Sequence, residues 1–385
     1  MNAENEFKAI EKNATGELVL ENSRFKTRVR ASAQTEIIME NAFGQRVVGR
    51  AVKADGKQTT IHLLKGNFHG GIERVSVQGR EESTCAENGR DEFILRLLRR
   101  ESYLQGEETS RQGQRFINLL WFPMYEPIRI SRPQHTPPRD AAFMDLNDSQ
   151  RQVAAAMISI TEPLVIAHGP PGTGKTTTIT AAVNYWKQQS QPVWIIAQSN
   201  VGVKNIARSL AKKHFTDFKL IVSKEFYVEW HEDLYNQVED NLIRSDDLGR
   251  VGDPTETERM LGGSRIILCT LSMLSNPVLD DTGVYKLVPV ERLVVDEASQ
   301  ISTSEYLHLF HKFQKIEKVC FFGDPKQREY MAPTATGLCV EYSYFFAVPP
   351  YGREAAPLMQ SIFDVKHLKP AAYFLNTQCM LQSFT

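Results

Sequence analysis

Residues 169–176 read GPPGTGKT, a spacing of glycine, lysine and threonine suited to holding a triphosphate. The phosphate charge must be met at close range. Glycine has no Cβ, so Gly169, Gly172 and Gly174 let backbone N–H groups wrap the β-phosphate. A helix starting near Lys175 aims its unpaired N–H groups and positive dipole end at the same point. Lys175 reaches the β- and γ-phosphates, and the Thr176 hydroxyl holds magnesium. The expected nucleotide contacts are therefore Gly169, Pro170, Pro171, Gly172, Thr173, Gly174, Lys175, Thr176 and Thr177.

A second set lies in LVVDEASQ, 293–300. An apolar strand ending in Asp296 delivers a carboxylate to the magnesium shell. Glu297 is then the candidate general base that polarises the attacking water, and Gln300 a candidate sensor of the γ-phosphate. FFGDPKQ at 321–327 adds Gln327, whose amide can bond a γ-phosphate or a water and report its loss. Gln150, in LNDSQ at 146–150, carries the donor and acceptor that reading the Hoogsteen edge of adenine requires. The catalytic set expected from the sequence is Lys175, Asp296, Glu297, Gln300 and Gln327, working on ATP with Mg2+ held by Thr176 and Asp296.

The elements that must position these groups follow from the hydrophobic pattern. From residue 143, helices alternate with short, almost wholly apolar runs: LVIAH (164–168), VWIIA (193–197), FKLIV (218–222), RIILCT (265–270), RLVVD (292–296) and KVCFFG (318–323). Such runs predict a parallel sheet covered on both faces, with ligands at the carboxyl ends of its strands. In the helix after the glycine loop, Ile179, Val183 and Trp186 share one face. Residues 223–262 hold eleven Asp/Glu against four Lys/Arg and no strand pattern, which predicts a helical, acidic excursion.

Residues 1–140 differ. Alternating runs such as TTIHLLK (59–65) and RVSVQGR (74–80) predict a small β-rich domain, in barrel form as one option, and DEFILRLLRRE (91–101) has helical spacing. SRPQHTPPRD at 131–140 reads as a linker. The whole chain, 385 residues, carries 45 Lys/Arg against 46 Asp/Glu, so any nucleic-acid surface must be local rather than global. Five cysteines without a CxxC pair argue for reduced thiols and against a disulfide scaffold or zinc cluster. The polar start and the lack of a long apolar run argue against a secretory signal or membrane span, and for a cytoplasmic or nuclear protein.

Taken together, LNDSQ, GPPGTGKT and VVDEASQ resemble the adenine-recognition and two Walker motifs of superfamily 1 helicases, in the branch of the nonsense-mediated-decay RNA helicase. The resemblance runs from Leu146 to about Met380. It implies an α/β fold of RecA-like type, ATP hydrolysis, and a single strand of RNA or DNA as partner, moved usually 5′ to 3′. QSNVGVKNIA (198–207) resembles the family's backbone-contact segment, with Ser199 and Asn200 matching, and CTLSML (269–274) a further contact motif with Thr270 as the phosphate contact. Residues 1–140 and 223–262 are similar to the β-barrel and the excursion of that branch.

Two departures stand against the family pattern. GDPKQ stops at Gln327 and PPYGRE appears only at 349–354, so 328–348 reads as a retained intron or a genuine lid. FLNTQCMLQSFT (374–385) begins like FLNTQYRM, but Cys379 and Met380 stand where an arginine is expected. On this reading residues 141–327 are a first RecA-like domain, and 349–385 the start of an incomplete second one. An amino-terminal helicase portion deficient in unwinding is one expectation. A non-motor adaptor, switched by nucleotide and binding nucleic acid or a protein through residues 1–140, is the alternative.

Overall fold

The computed structural model describes residues 7–12, 18–22, 35–41, 44–55, 58–65, 72–79, 84–102, 112–125, 141–223, 238–250, 254–326 and 360–376. The linker at 131–140, Gln327, the segment 328–348 and residues 377–385 lie outside these. The chain forms two compact units, Met1–Ser83 and Thr84–Thr385.

The first unit is a six-stranded antiparallel sheet. Its strands are β1 (Phe7–Lys12), β2 (Leu18–Asn22), β3 (Thr35–Asn41), β4 (Arg46–Asp55), β5 (Gln58–Lys65) and β6 (Ile72–Gly79), in the order β1-β2-β5-β4-β3-β6. Leu18, Leu20, Ile37, Met39, Val47, Ala51, Ile61 and Val75 form its core. Leu18/Leu20 and Ile37/Met39 stand two residues apart, so each strand turns alternate side chains to one face.

The β-rich region ends earlier than the expected boundary at 140. Helices α1 (Cys85–Leu98) and α2 (Gln112–Trp121) belong to the second unit. α1 also starts before the periodic run at 91. Thr84 accepts a hydrogen bond from the Glu87 N–H, while the Glu87 carboxylate accepts from the Thr84 N–H, and this capping box sets the start. Phe116, Ile117, Leu119 and Leu120 of α2 join one side of the main core.

That core is built on an eight-stranded, wholly parallel sheet. In chain order its elements are α3 (Asp148–Ile158), β7 (Leu164–His168), α4 (Lys175–Gln188), β8 (Val193–Ala197), α5 (Asn200–Lys212), β9 (Lys219–Val222), β10 (Leu242–Arg244), β11 (Ile266–Thr270), β12 (Arg292–Val295), β13 (Lys318–Gly323) and β14 (Tyr373–Phe374). The strand order is β10-β9-β11-β8-β12-β13-β7-β14. Both faces are buried, so each strand feeds two cores by turns. Trp194, Ile196, Leu293, Val295, Val319 and Phe321 face one core; Ile195, Ala197, Val294, Cys320 and Phe322 face the other. Ile179, Val183 and Trp186 of α4 are buried together in the second core, as their spacing predicts. Cys269 and Cys320 are buried free thiols, and burial pushes Cys320 up to about 12.

Two expectations are corrected by the sheet. The acidic stretch 223–262 is not wholly helical: Leu242–Arg244 pairs in parallel with Leu220–Val222 as the edge strand β10, before helices Ser245–Arg250 and Pro254–Leu261. Three residues are too short a run for alternation to reveal them. Residues 360–376 do not begin a second sheet. Tyr373 and Phe374 pair with Ala167 and His168 at the far edge of the first, and Ile362 and Phe363 are buried in its core. An edge strand of two residues follows its neighbour's open ladder, which no local pattern announces.

Lys318, at the start of β13, is buried. Its ammonium donates to the carbonyls of Ala156 (3.0 Å), Ser159 (2.5 Å) and Glu162 at the end of α3. Burial pushes its pKa down to about 8, below the value of roughly 10.4 in an unfolded chain. The unfolded chain therefore holds more protons between those values. Stability is expected to rise as pH climbs from about 8 toward about 10.4, and to gain nothing from this group below that window. Lys318→Met should remove the rise. It also takes the donor from three carbonyls, at a cost of about 2–4 kcal/mol. Urea denaturation across this range tests both; a variant as stable as its parent at neutral pH contradicts the assignment.

Candidate nucleotide site

The chemistry-bearing residues gather along one edge of the sheet. β11, β8, β12, β13 and β7 are neighbours in that order, and each ends at or just before a segment singled out above. Two backbone bonds extend the ladders beyond the strands. Gly169 N donates to Gly323 O at 2.9 Å, and Asp296 N to Ile196 O at 2.8 Å. They pin the glycine loop and the acidic turn in register with the strands beside them.

The loop closes on itself. Thr173 Oγ1 donates to Pro170 O at 2.8 Å, and Lys175 Nζ to Gly169 O at 2.5 Å. Gly174 caps α4 at φ 79°, a left-handed conformation that disfavours any side chain. A Cβ there would also stand 2.3 Å from Gln150 Nε2. Thr176 and Thr177 are half-buried in the first turn of α4, Gly172 is half-buried, and Pro170 and Pro171 are exposed.

Gln150 is buried behind the loop. Its Oε1 accepts from Asn147 N at 3.1 Å in a capping box that starts α3, and its Nε2 donates to Thr173 O at 3.0 Å. The residue expected at the adenine thus braces the phosphate loop.

Asp296 and Glu297 follow β12. Asp296 is 8% exposed, and its Oδ1 accepts from Glu297 N at 2.9 Å. Burial raises the pKa of its carboxyl, against the pull of that N–H and of the Lys175 charge. Glu297 takes φ 54°, left-handed for a residue with a side chain, and turns the chain into the short helix Ala298–Gln300. Such a conformation costs on the order of 1–3 kcal/mol and clusters at functional sites. Burial and then the Asp296 charge raise the Glu297 pKa, opposed by the Ser199 hydroxyl and Lys175. The ammonium on the loop after β7 therefore acts on both carboxylates after β12, with β13 between. Gln300 sits half-buried in the same turn, its N–H donating to Glu297 O at 2.9 Å.

Ser199, Asn200 and Thr270 lie on the same edge. Ser199 caps α5, accepting from Gly202 N at 3.0 Å, and Asn200 is exposed at the first helical position. Thr270 caps the turn Leu271–Leu274, accepting from Met273 N at 3.1 Å.

Three features were not read from the sequence. His168, given no role there, ends β7 between the rings of Phe363 (4.7 Å) and Phe374 (4.8 Å), and burial lowers its pKa. Asp324 is buried beyond β13, accepting from Lys326 N at 3.0 Å. Gly202 lies under Glu297: a Cβ there would stand 2.6 Å from Glu297 Oε2. A glycine inside a helical pattern was the available signal for the last.

The donor set at this edge fits magnesium. The Thr176 hydroxyl and the Asp296 carboxylate are hard oxygen ligands of the kind that cation takes alongside phosphate, and a buried, desolvated carboxylate gains from a nearby cation.

Residues 145–336 match the family model of an AAA domain. The chain is similar to the DNA replication ATP-dependent helicase/nuclease DNA2 of Mus musculus, 28% identical over 201 residues, which are 51% of this chain and 18% of that protein. It is similar also to the regulator of nonsense transcripts 1 homolog of Neurospora crassa, 30% identical over 247 residues, 57% of this chain and 21% of that one. The chain thus spans about a fifth of the length of these relatives. The SWI2/SNF2 ATPase core of Sulfolobus solfataricus aligns over 65% of this chain and 46% of its own, at 18% identity and a TM-score of 0.32. Among the described residues, no helix is long and apolar enough to cross a membrane.

Proposed function

We propose that this chain is a superfamily 1 helicase in the branch of the nonsense-mediated-decay RNA helicase, a reading its AAA-domain match and helicase relatives support, and that its parallel-sheet unit binds ATP with Mg2+ and hydrolyses it in response to single-stranded nucleic acid. One observation carries the reading: the glycine loop after β7 and the acidic turn after β12 stand at the same end of one parallel sheet, each pinned to a neighbouring strand end, Gly169 N to Gly323 O and Asp296 N to Ile196 O.

In this assignment the loop N–H groups and Lys175 take the β- and γ-phosphates, and Gln150 reads adenine from where it braces the loop. Thr176 and Asp296 hold Mg2+, which neutralises phosphate charge when bound. Glu297 accepts a proton as water oxygen bonds to the γ-phosphorus. The bond from that phosphorus to the bridging oxygen breaks, and ADP leaves with the electron pair. Gln300 and Gln327 sense the γ-phosphate. Ser199, Asn200 and Thr270 contact the strand backbone, so binding depends on phosphates more than on bases. Motion along the strand runs 5′ to 3′, as the resemblance implies, in either a cytoplasmic or a nuclear setting.

The test is ATP turnover by the purified chain, with and without an unstructured oligonucleotide, across pH. A strand should stimulate turnover. The acid limb should lie above the ordinary carboxylate value of about 4.3, because the base must be ionised and its pKa is raised. Turnover is then lost as pH falls through that raised value. Tight ATP binding with no turnover under any condition would favour the adaptor instead.

A further inference from the structure

We infer that Ser199 is a positioning residue for hydrolysis: its hydroxyl holds the Glu297 carboxylate in the orientation from which it takes the proton of the attacking water. The inference rests on the proposed role of Glu297 as base, and it assigns Ser199 a task beyond contact with a strand.

The direction of the bond follows from the partners. Ser199 Oγ accepts from Gly202 N at 3.0 Å, and Glu297 Oε2 lies 3.3 Å away. A serine hydroxyl has one proton to give, and an ionised carboxylate can only accept. With the Gly202 N–H directed at the oxygen, the hydroxyl proton goes to Glu297. The bond is long for a hydroxyl and a carboxylate, but the carboxylate is seated by more than this bond. Its Oε2 lies over Gly202, at a place where a Cβ would approach to 2.6 Å. From the other side the left-handed backbone at Glu297, φ 54°, aims the side chain across from β12 to the helix that follows β8, the adjacent strand.

The Ser199 hydroxyl caps α5 one residue before the exposed Asn200. A strand that engages this helix end therefore acts directly on the group holding the base.

Steady-state kinetics of four variants test this. Ser199→Ala is expected to lower kcat roughly tenfold, a part of the 10²–10⁴ that a general base supplies. KM for ATP should stay within about twofold, since no phosphate contact is lost. Ser199→Thr should restore kcat. Ser199→Asp keeps an acceptor for the Gly202 N–H but cannot donate when ionised, so it should be as slow as the alanine variant with α5 still capped. Glu297→Gln separates the two levels of the argument. If it turns over like the parent, the role of Glu297 falls. If it is inactive while Ser199→Ala keeps the parental kcat, or Ser199→Asp behaves as the parent, the inference about Ser199 alone is overturned.

Discussion

Lys175→Ala is expected to weaken binding of a fluorescent ATP analogue by at least about 100-fold. The side chain would make charge-assisted bonds to two phosphates, each worth about 1.5–3 kcal/mol, and every 1.4 kcal/mol is a factor of ten in affinity. In the loop the ammonium lies against Gly169 O at 2.5 Å, so it already stands inside the cradle rather than in solvent. A second effect adds to the first. Lys175 is the last of the influences that lower the Asp296 and Glu297 pKa values, so its loss leaves burial less opposed at both carboxyls. Fold stability should change little, because Lys175 is only half-buried. Fluorescence anisotropy with a matched melting curve separates binding from folding. Unchanged affinity in a folded variant would remove the loop from the site.

Glu297→Gln is expected to leave ATP affinity within about threefold and to cut turnover by roughly 10²–10⁴. Glutamine keeps the side-chain volume over Gly202 and can accept from the Ser199 hydroxyl, so the seat survives. The repulsion from Asp296 that raises the Glu297 pKa disappears with the charge. What is lost is the ability to accept a proton from water. Single-turnover hydrolysis alongside equilibrium binding checks the split. A variant that hydrolyses at the parental rate would force the base to be sought elsewhere, and a variant that loses binding would show that Glu297 supports the cradle instead.

Much of the second unit was legible because its signals are local. The apolar runs at 164–168, 193–197, 266–270, 292–295 and 318–323 are strands, since runs buried on both faces leave no polar position to blur them. The α4 face Ile179, Val183 and Trp186 was readable from one turn of sequence to the next. β10, β14 and the early start of α1 were not. Two are short edge strands whose partners, Leu220–Val222 and Ala167–His168, lie far off in sequence. The third is set by a cap, Thr84 with Glu87, outside the periodic run.

The candidate site divides in the same way. Sequence by itself determined the chemical inventory: the glycine loop with Lys175 and Thr176, the acid pair 296–297, and the polar residues at the other strand ends. Those patterns are short and contiguous, and phosphate chemistry restricts which residues can serve. Only the tertiary structure decided what each group faces. Strand order put Lys175 within electrostatic reach of both acids. Packing buried Gln150 behind the loop and seated Glu297 between Ser199 and Gly202. Burial and proximity across strands set orientation and proton affinity, and they arise only when residues distant in the sequence are brought to one edge of a sheet.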